Sequence, residues 1–194
     1  PILTPPNMEG YDEHEEDANM SADSLGEGGN DGGNGGDGYV AARFLLSEGR
    51  YVEVIASRAP EKLIGDAAIM AHAWTACGGM TRIFGDEPLG HLTESDVIID
   101  ALLGIGTTSK PEGAIEALCA WANDSPATVL SLDIATGVNS DTADVYDGAI
   151  NADATISFIA PKRGNTPCTT QATAAQNPAR QGNRFQQSRR SHSE

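Results

Sequence analysis

The sequence predicts an α/β protein, a Rossmann-like three-layer fold around a mostly parallel sheet. Three observations carry that prediction. Residues 97–103 and 128–134 are continuous apolar runs, the pattern of strands buried on both faces. Helical stretches separate the apolar runs, so each strand can return to the sheet in the same direction. A glycine-rich run, Gly33, Gly35, Gly36 and Gly38, opens the first apolar helix, where backbone amides and the positive helix end can face an anion.

The elements follow in order. The first helix is expected from Asp37 through Leu46, with Gly49 ending it. Residues 51–56, with Tyr51, Val52, Val54 and Ile55, read as a short strand. Residues 62–77, with Leu63, Ala67, Ile69, Met70, Ala73 and Trp74, suit a helix that stops at Gly78 and Gly79. Residues 81–84 make a weak strand. The two apolar runs flank a helix over 111–123 with Pro111 at its start, and residues 154–159 close the series. No strand is expected ahead of the glycine run, because residues 20–32 are small, polar and acidic.

Composition at both ends differs from a core. Residues 1–32 are acidic and Gly-rich, with no Lys or Arg before Arg43, and residues 164–194 are rich in Gln, Ser and Arg. Neither stretch buries enough apolar surface to offset ordering entropy. Both are expected to be disordered tails around one domain at 33–163. The net charge of −16 argues against nucleic acid as a partner. No apolar run approaches the roughly 20 residues of a membrane span, so no membrane partner is expected. Cys77, Cys119 and Cys168 lack metal-ligand spacing and fit a reducing compartment, the cytoplasm first and mitochondria second. His72 and His91 stand alone and read as packing or surface residues.

In a parallel sheet, ligands bind outside the carboxyl ends of the strands. Three features collect at that edge. Gly33, Gly35 and Gly38 satisfy the dinucleotide pattern G-x-G-x-x-G, with Asn34 and Asp37 beside them. Asp100 sits late in one apolar run and is followed by Gly104, Ile105 and Gly106; Asp133 ends the other and is followed by Thr136 and Gly137. Each has a bland reading as a cap or turn former, but their convergence on one edge makes a site. Ser57 and Arg58, about 20 residues past the glycine run, keep an NADP-dependent oxidoreductase open. No Tyr and Lys at hydride-transfer spacing accompany them.

The residues also match a family. Asn34-Gly35-Gly36-Asp37-Gly38-Tyr39-Val40-Ala41-Ala42-Arg43, Ile99-Asp100-Ala101-Leu102-Leu103-Gly104-Ile105-Gly106 and Leu132-Asp133-Ile134-Ala135-Thr136-Gly137-Val138-Asn139 closely resemble the NAD(P)H-hydrate epimerases, the YjeF N-terminal domain family. Residues 153–158 and the pair Pro161-Lys162 extend the match. The resemblance implies an isomerase of nicotinamide nucleotide repair. Such an enzyme interconverts the R and S forms of hydrated NADH or NADPH (NADHX, NADPHX), and an S-specific dehydratase then restores the nucleotide. Carried over by motif, Asn34, Asp100 and Thr136 would hold a potassium ion (K+), and Asp133 would be the catalytic residue in contact with substrate. Gly33, Asn34, Gly35, Gly36 and Asp37, with Gly104, Ile105, Gly106, Thr107, Thr108, Ser109 and Lys110, would bind the dinucleotide. Gly33 stands where the family carries a second Asn, and Ala135-Thr136 replaces its Pro-Ser while keeping a hydroxyl. The implied partners are the small-molecule substrate and a dehydratase, and bare sheet edges leave room for a homodimer. The alternative is a noncatalytic binding or scaffold module of the same domain.

Overall fold

The computed structural model describes residues 18–22, 34–159 and 162–165. They form the strands β1 (Ala18–Ala22), β2 (Val52–Ala56), β3 (Thr81–Ile83), β4 (Val97–Ala101), β5 (Thr128–Leu132) and β6 (Ala154–Ile156). Three helices connect them: α1 (Asn34–Ser47), α2 (Gly65–Ala76) and α3 (Gly113–Asp124). The strands make one sheet in the order β3-β2-β1-β4-β5-β6, and all five pairings are parallel. This is the doubly wound order of dinucleotide-binding folds, and its direction of winding reverses between β1 and β4.

Successive residues of a buried strand point to opposite faces, and the cores on the two sides follow that alternation. Val54, Ile99 and Leu132 pack with Tyr39 and Ala42 of α1 and with Ala71 and Trp74 of α2. Their sequence neighbours Ile55 and Ile98, with Val129, pack with Leu118, Cys119 and Ala122 of α3. The three layers expected from the sequence are therefore present. Burial pushes the Cys119 thiol up, and the Asp100 charge adds to that shift, so this cysteine is an inert core residue. Cys77, His72 and His91 are exposed. Among the described residues no helix is long and apolar enough to cross a membrane.

Three sequence expectations are corrected. A strand does precede the glycine run. Ala18–Ala22 pairs with β2 on one side and β4 on the other, at the centre of the sheet. Its residues lack strand propensity, but a backbone placed between two apolar strands has its amides and carbonyls paired on both sides. The remainder of the expected front tail lies outside the described residues, as do residues 166–194. The second correction concerns the glycine run, which is the first turn of α1 from Asn34 onward instead of a loop ending at Asp37. At its other end α1 closes as anticipated: Gly49, at φ 81°, donates to Leu46 O and Arg50 donates to Leu45 O. The third correction is at the expected start of the second tail, where Arg163–Asn165 forms a 3-10 turn with Gly164 buried. In a smaller adjustment, α3 begins at Gly113, two residues beyond Pro111.

Candidate active site

The switch between β1 and β4 brings the start of α1 against the loops that follow β4 and β5. Asp100 is the anchor of this junction. It is fully buried and accepts four hydrogen bonds. Leu102 N–H (3.2 Å) and the Thr136 hydroxyl (2.7 Å) donate to Oδ1, and the Ser131 hydroxyl (2.7 Å) and Thr136 N–H (2.9 Å) donate to Oδ2. Burial lifts its pKa above the ordinary carboxylate value, and these donors pull it back. The Thr136 hydroxyl also accepts from Leu103 N–H at 3.0 Å, and Leu103 O accepts from Asn34 Nδ2 at 2.9 Å. Asn34, Asp100 and Thr136, which lie far apart in sequence, thus share one hydrogen-bonded chain.

Asn34 is 3% exposed, and its Oδ1 is buried without a hydrogen-bond partner among the described residues. An orphaned amide oxygen in a buried site costs free energy that a cation recovers by coordination. Only oxygen donors meet here, which suits a hard cation. Asp100 contributes negative charge more than vacant oxygens, because its lone pairs are already engaged. The donor set therefore fits a monovalent or other hard cation held by Asn34 Oδ1 and the Thr136 hydroxyl with Asp100 behind them.

Asp133 occupies a different setting at the end of β5. Its backbone is left-handed, at φ 63°, a conformation that Asp tolerates better than most residues but at some strain. The strain is held from β6: Asp133 N–H donates to Ile156 O (2.6 Å), and Phe158 N–H donates to Asp133 Oδ1 (3.0 Å). The Lys162 ammonium donates to the same Oδ1. Asp37, half-buried in the first turn of α1, faces Asp133. Its pKa is raised by burial first and by the Asp133 charge second.

The loop at 104–110 is laced to the loop after β5. Ser140 Oγ donates to Ile105 O (3.0 Å) and Asn139 Nδ2 to Thr107 O (3.4 Å). Thr107 is buried and donates its hydroxyl to Gly104 O (2.8 Å). Gly104 lies so close to α1 that an added Cβ would stand 3.1 Å from Asn34 Cβ. Ile105, Gly106, Thr108, Ser109 and Lys110 are exposed along the rim. Among the glycines expected to line the site, Gly36 faces Ala67 on α2 instead, and Gly33 lies outside the described residues. Ser57 and Arg58 follow β2 at the same sheet edge. Sequence reasoning missed Ser131 and the pairing of Lys162 with Asp133. The strand alternation that puts Ser131 on the Asp100 side of β5 was legible; the Lys162 contact depends on a turn that no periodicity announces.

Comparison with known proteins places this arrangement. The chain matches the family described as YjeF-related protein N-terminus over residues 28–164. It is 40% identical over 134 residues to the NAD(P)H-hydrate epimerase of Rhodopirellula baltica, covering 69% of this chain and 55% of the relative. The bifunctional NAD(P)H-hydrate repair enzyme Nnr of Escherichia coli is 38% identical over 136 residues, 69% of this chain and 25% of the relative. The bifunctional enzyme of Leishmania infantum is 37% identical over 134 residues, 69% of this chain and 24% of the relative. The chain thus spans about half of the first relative and a quarter of the two bifunctional ones. Every residue of the Asp100 and Asp133 settings described above, from Asn34 to Lys162, falls within the matched region, and the chain belongs to the YjeF-related N-terminal domain family.

Proposed function

We propose that the chain is an NAD(P)H-hydrate epimerase acting on NADHX and NADPHX, with Asp133 as its catalytic residue. One observation carries the reading: Asp133 is fixed at the switch edge in a strained backbone, facing Asp37 on α1, in a chain of the repair-enzyme family. The nucleotide lies along the first turn of α1 and the exposed rim at 104–110, with its phosphates toward the α1 N-terminus.

The chemistry needs little from the protein. The ring nitrogen pushes out the C6 hydroxyl, which takes a proton and leaves as water, and a planar cation remains. Water then attacks either face of that cation and releases a proton. Asp133 as the acid supplies the first proton and as the carboxylate takes the second, so nothing is consumed. Between the two steps its negative charge stands against the cation, where it lowers the barrier most. Asn34, Asp100 and Thr136 would hold the potassium ion, which supplies positive charge to balance buried Asp100 and to fix the loops around the nucleotide. The product feeds an S-specific dehydratase.

The test is epimerisation of R-NADPHX coupled to an S-specific dehydratase, with potassium or with choline in its place. A rate above the spontaneous background that requires potassium and vanishes in Asp133→Ala supports the reading. A folded protein with no rate in either salt rejects it and leaves the noncatalytic binding module.

A further inference from the structure

The Pro161-Lys162 pair belongs to the motif match, yet the reaction above gives Lys162 no task. Its ammonium has three N–H donors and meets three acceptors: Asp133 Oδ1, Phe158 O at 2.8 Å and Ser157 Oγ at 3.5 Å. The Lys162 and Asp133 side chains are only 17% and 15% exposed. Such a pair is poorly screened and differs from a surface ion pair of little consequence. The segment is also pinned next to Lys162. An added Cβ on Gly164 would stand 2.9 Å from Asn139 O, Ile134 Cδ1 and Val138 Cγ1, so the chain fits there only as glycine.

Among the described residues, Lys162, after β6, pairs with Asp133, and Asp37, on α1, feels the Asp133 charge. Phe158 N–H and Lys162 both donate to Oδ1. We propose that Lys162 is a positioning residue of the epimerase: it fixes Oδ1 of Asp133, so that the carboxyl stays aimed at the reacting ring. The proposal rests on the epimerase reading given above.

The test uses the full chain with Lys162→Met and measures kcat and KM for NADPHX beside the Tm. Misaimed catalytic groups cost up to about 100-fold. We therefore expect kcat to fall roughly 10- to 100-fold with KM little changed, and Lys162→Arg to recover most of it. If Lys162→Met lowers Tm but leaves kcat unchanged, Lys162 is only a tether and the proposal is overturned. A folded wild-type protein with no epimerisation overturns the epimerase reading and this role with it, whereas an active wild type with an equally active Lys162→Met overturns this role alone. Should Lys162→Met fail to fold by circular dichroism, Gly164→Ala displaces the same segment with Lys162 intact. It must then lower kcat with KM little changed, and an unchanged kcat refutes the proposal.

Discussion

Asp100 and Asp133 lie at the carboxyl ends of neighbouring strands, β4 and β5, and the protein holds their carboxylates in opposite ways. Asp100 is sealed, with all four acceptor positions filled by donors from Leu102, Ser131 and Thr136. Asp133 sits at the rim on a strained backbone and pairs with Lys162. The first arrangement organises loops, and the second is the one proposed to present a reactive group. A strand-end aspartate is therefore not one kind of residue, and what separates the two is the kind of partner, neutral N–H and O–H donors for Asp100 and an ammonium for Asp133. The largest effect is expected from breaking the sealed one. Asp100→Ala orphans two buried backbone N–H groups and two hydroxyls, at about 1–3 kcal/mol for each group that finds no new partner. Even after relief of the buried charge, chemical denaturation is expected to show a loss of about 3 kcal/mol or more. A variant as stable as wild type would mean that Asp100 is a site residue and not a structural one.

The turn that joins the two settings is the next target. Gly137 follows Thr136 at φ 87°, and an added Cβ would stand 2.7 Å from both Ala149 Cα and Cβ. Gly137→Ala combines left-handed strain with a clash against buried backbone, for a loss of about 2–4 kcal/mol. Because Thr136 bonds Asp100 through both its N–H and its hydroxyl, the same variant should weaken any potassium-dependent rise in Tm.

Asp133 sharpens the contrast from the other side. Its φ of 63° is unfavourable for any residue with a Cβ. Both Asp133→Ala and Asp133→Gly are expected to abolish epimerisation, yet Asp133→Gly should be the more stable by about 1 kcal/mol. Equal stabilities would show that the left-handed backbone carries no strain, and the argument from strain to function would fall with it.

How much of this was legible follows from the same physics. Strands β4 and β5 and the three-layer architecture were readable because continuous apolar runs admit few other readings. Asn34, Asp100 and Thr136 were readable as a set through motif, and the structure links them through Leu103, whose backbone no side-chain pattern reveals. The central strand Ala18–Ala22 was not readable, since its stability comes from pairing on both sides and its own residues signal nothing. The helical start at Asn34 was hidden for the opposite reason, because three glycines suggest a loop wherever tertiary packing is unknown. Lys162 lay in a quoted motif, but only the folded turn at Arg163–Asn165 brings it beside Asp133.

The smallest expected effect concerns the carboxylate that looks at Asp133 across the site. Asp37 has its pKa raised in the folded protein, by burial first and by Asp133 second. A raised carboxyl pKa means that the folded state holds the proton more tightly than the unfolded one. Stability is then lost as pH rises from the unfolded value of 3.8 through the folded pKa, and levels off above it. Asp37→Asn cannot titrate and escapes this loss. The stability difference between variant and wild type should therefore shift in the variant's favour across that window and stay constant at higher pH. Urea denaturation at a series of pH values reads it directly. Repeating the series in Asp133→Asn should shrink the shift, because the second cause is gone while burial remains. A shift that survives unchanged would mean that the two carboxylates do not sense each other across the site.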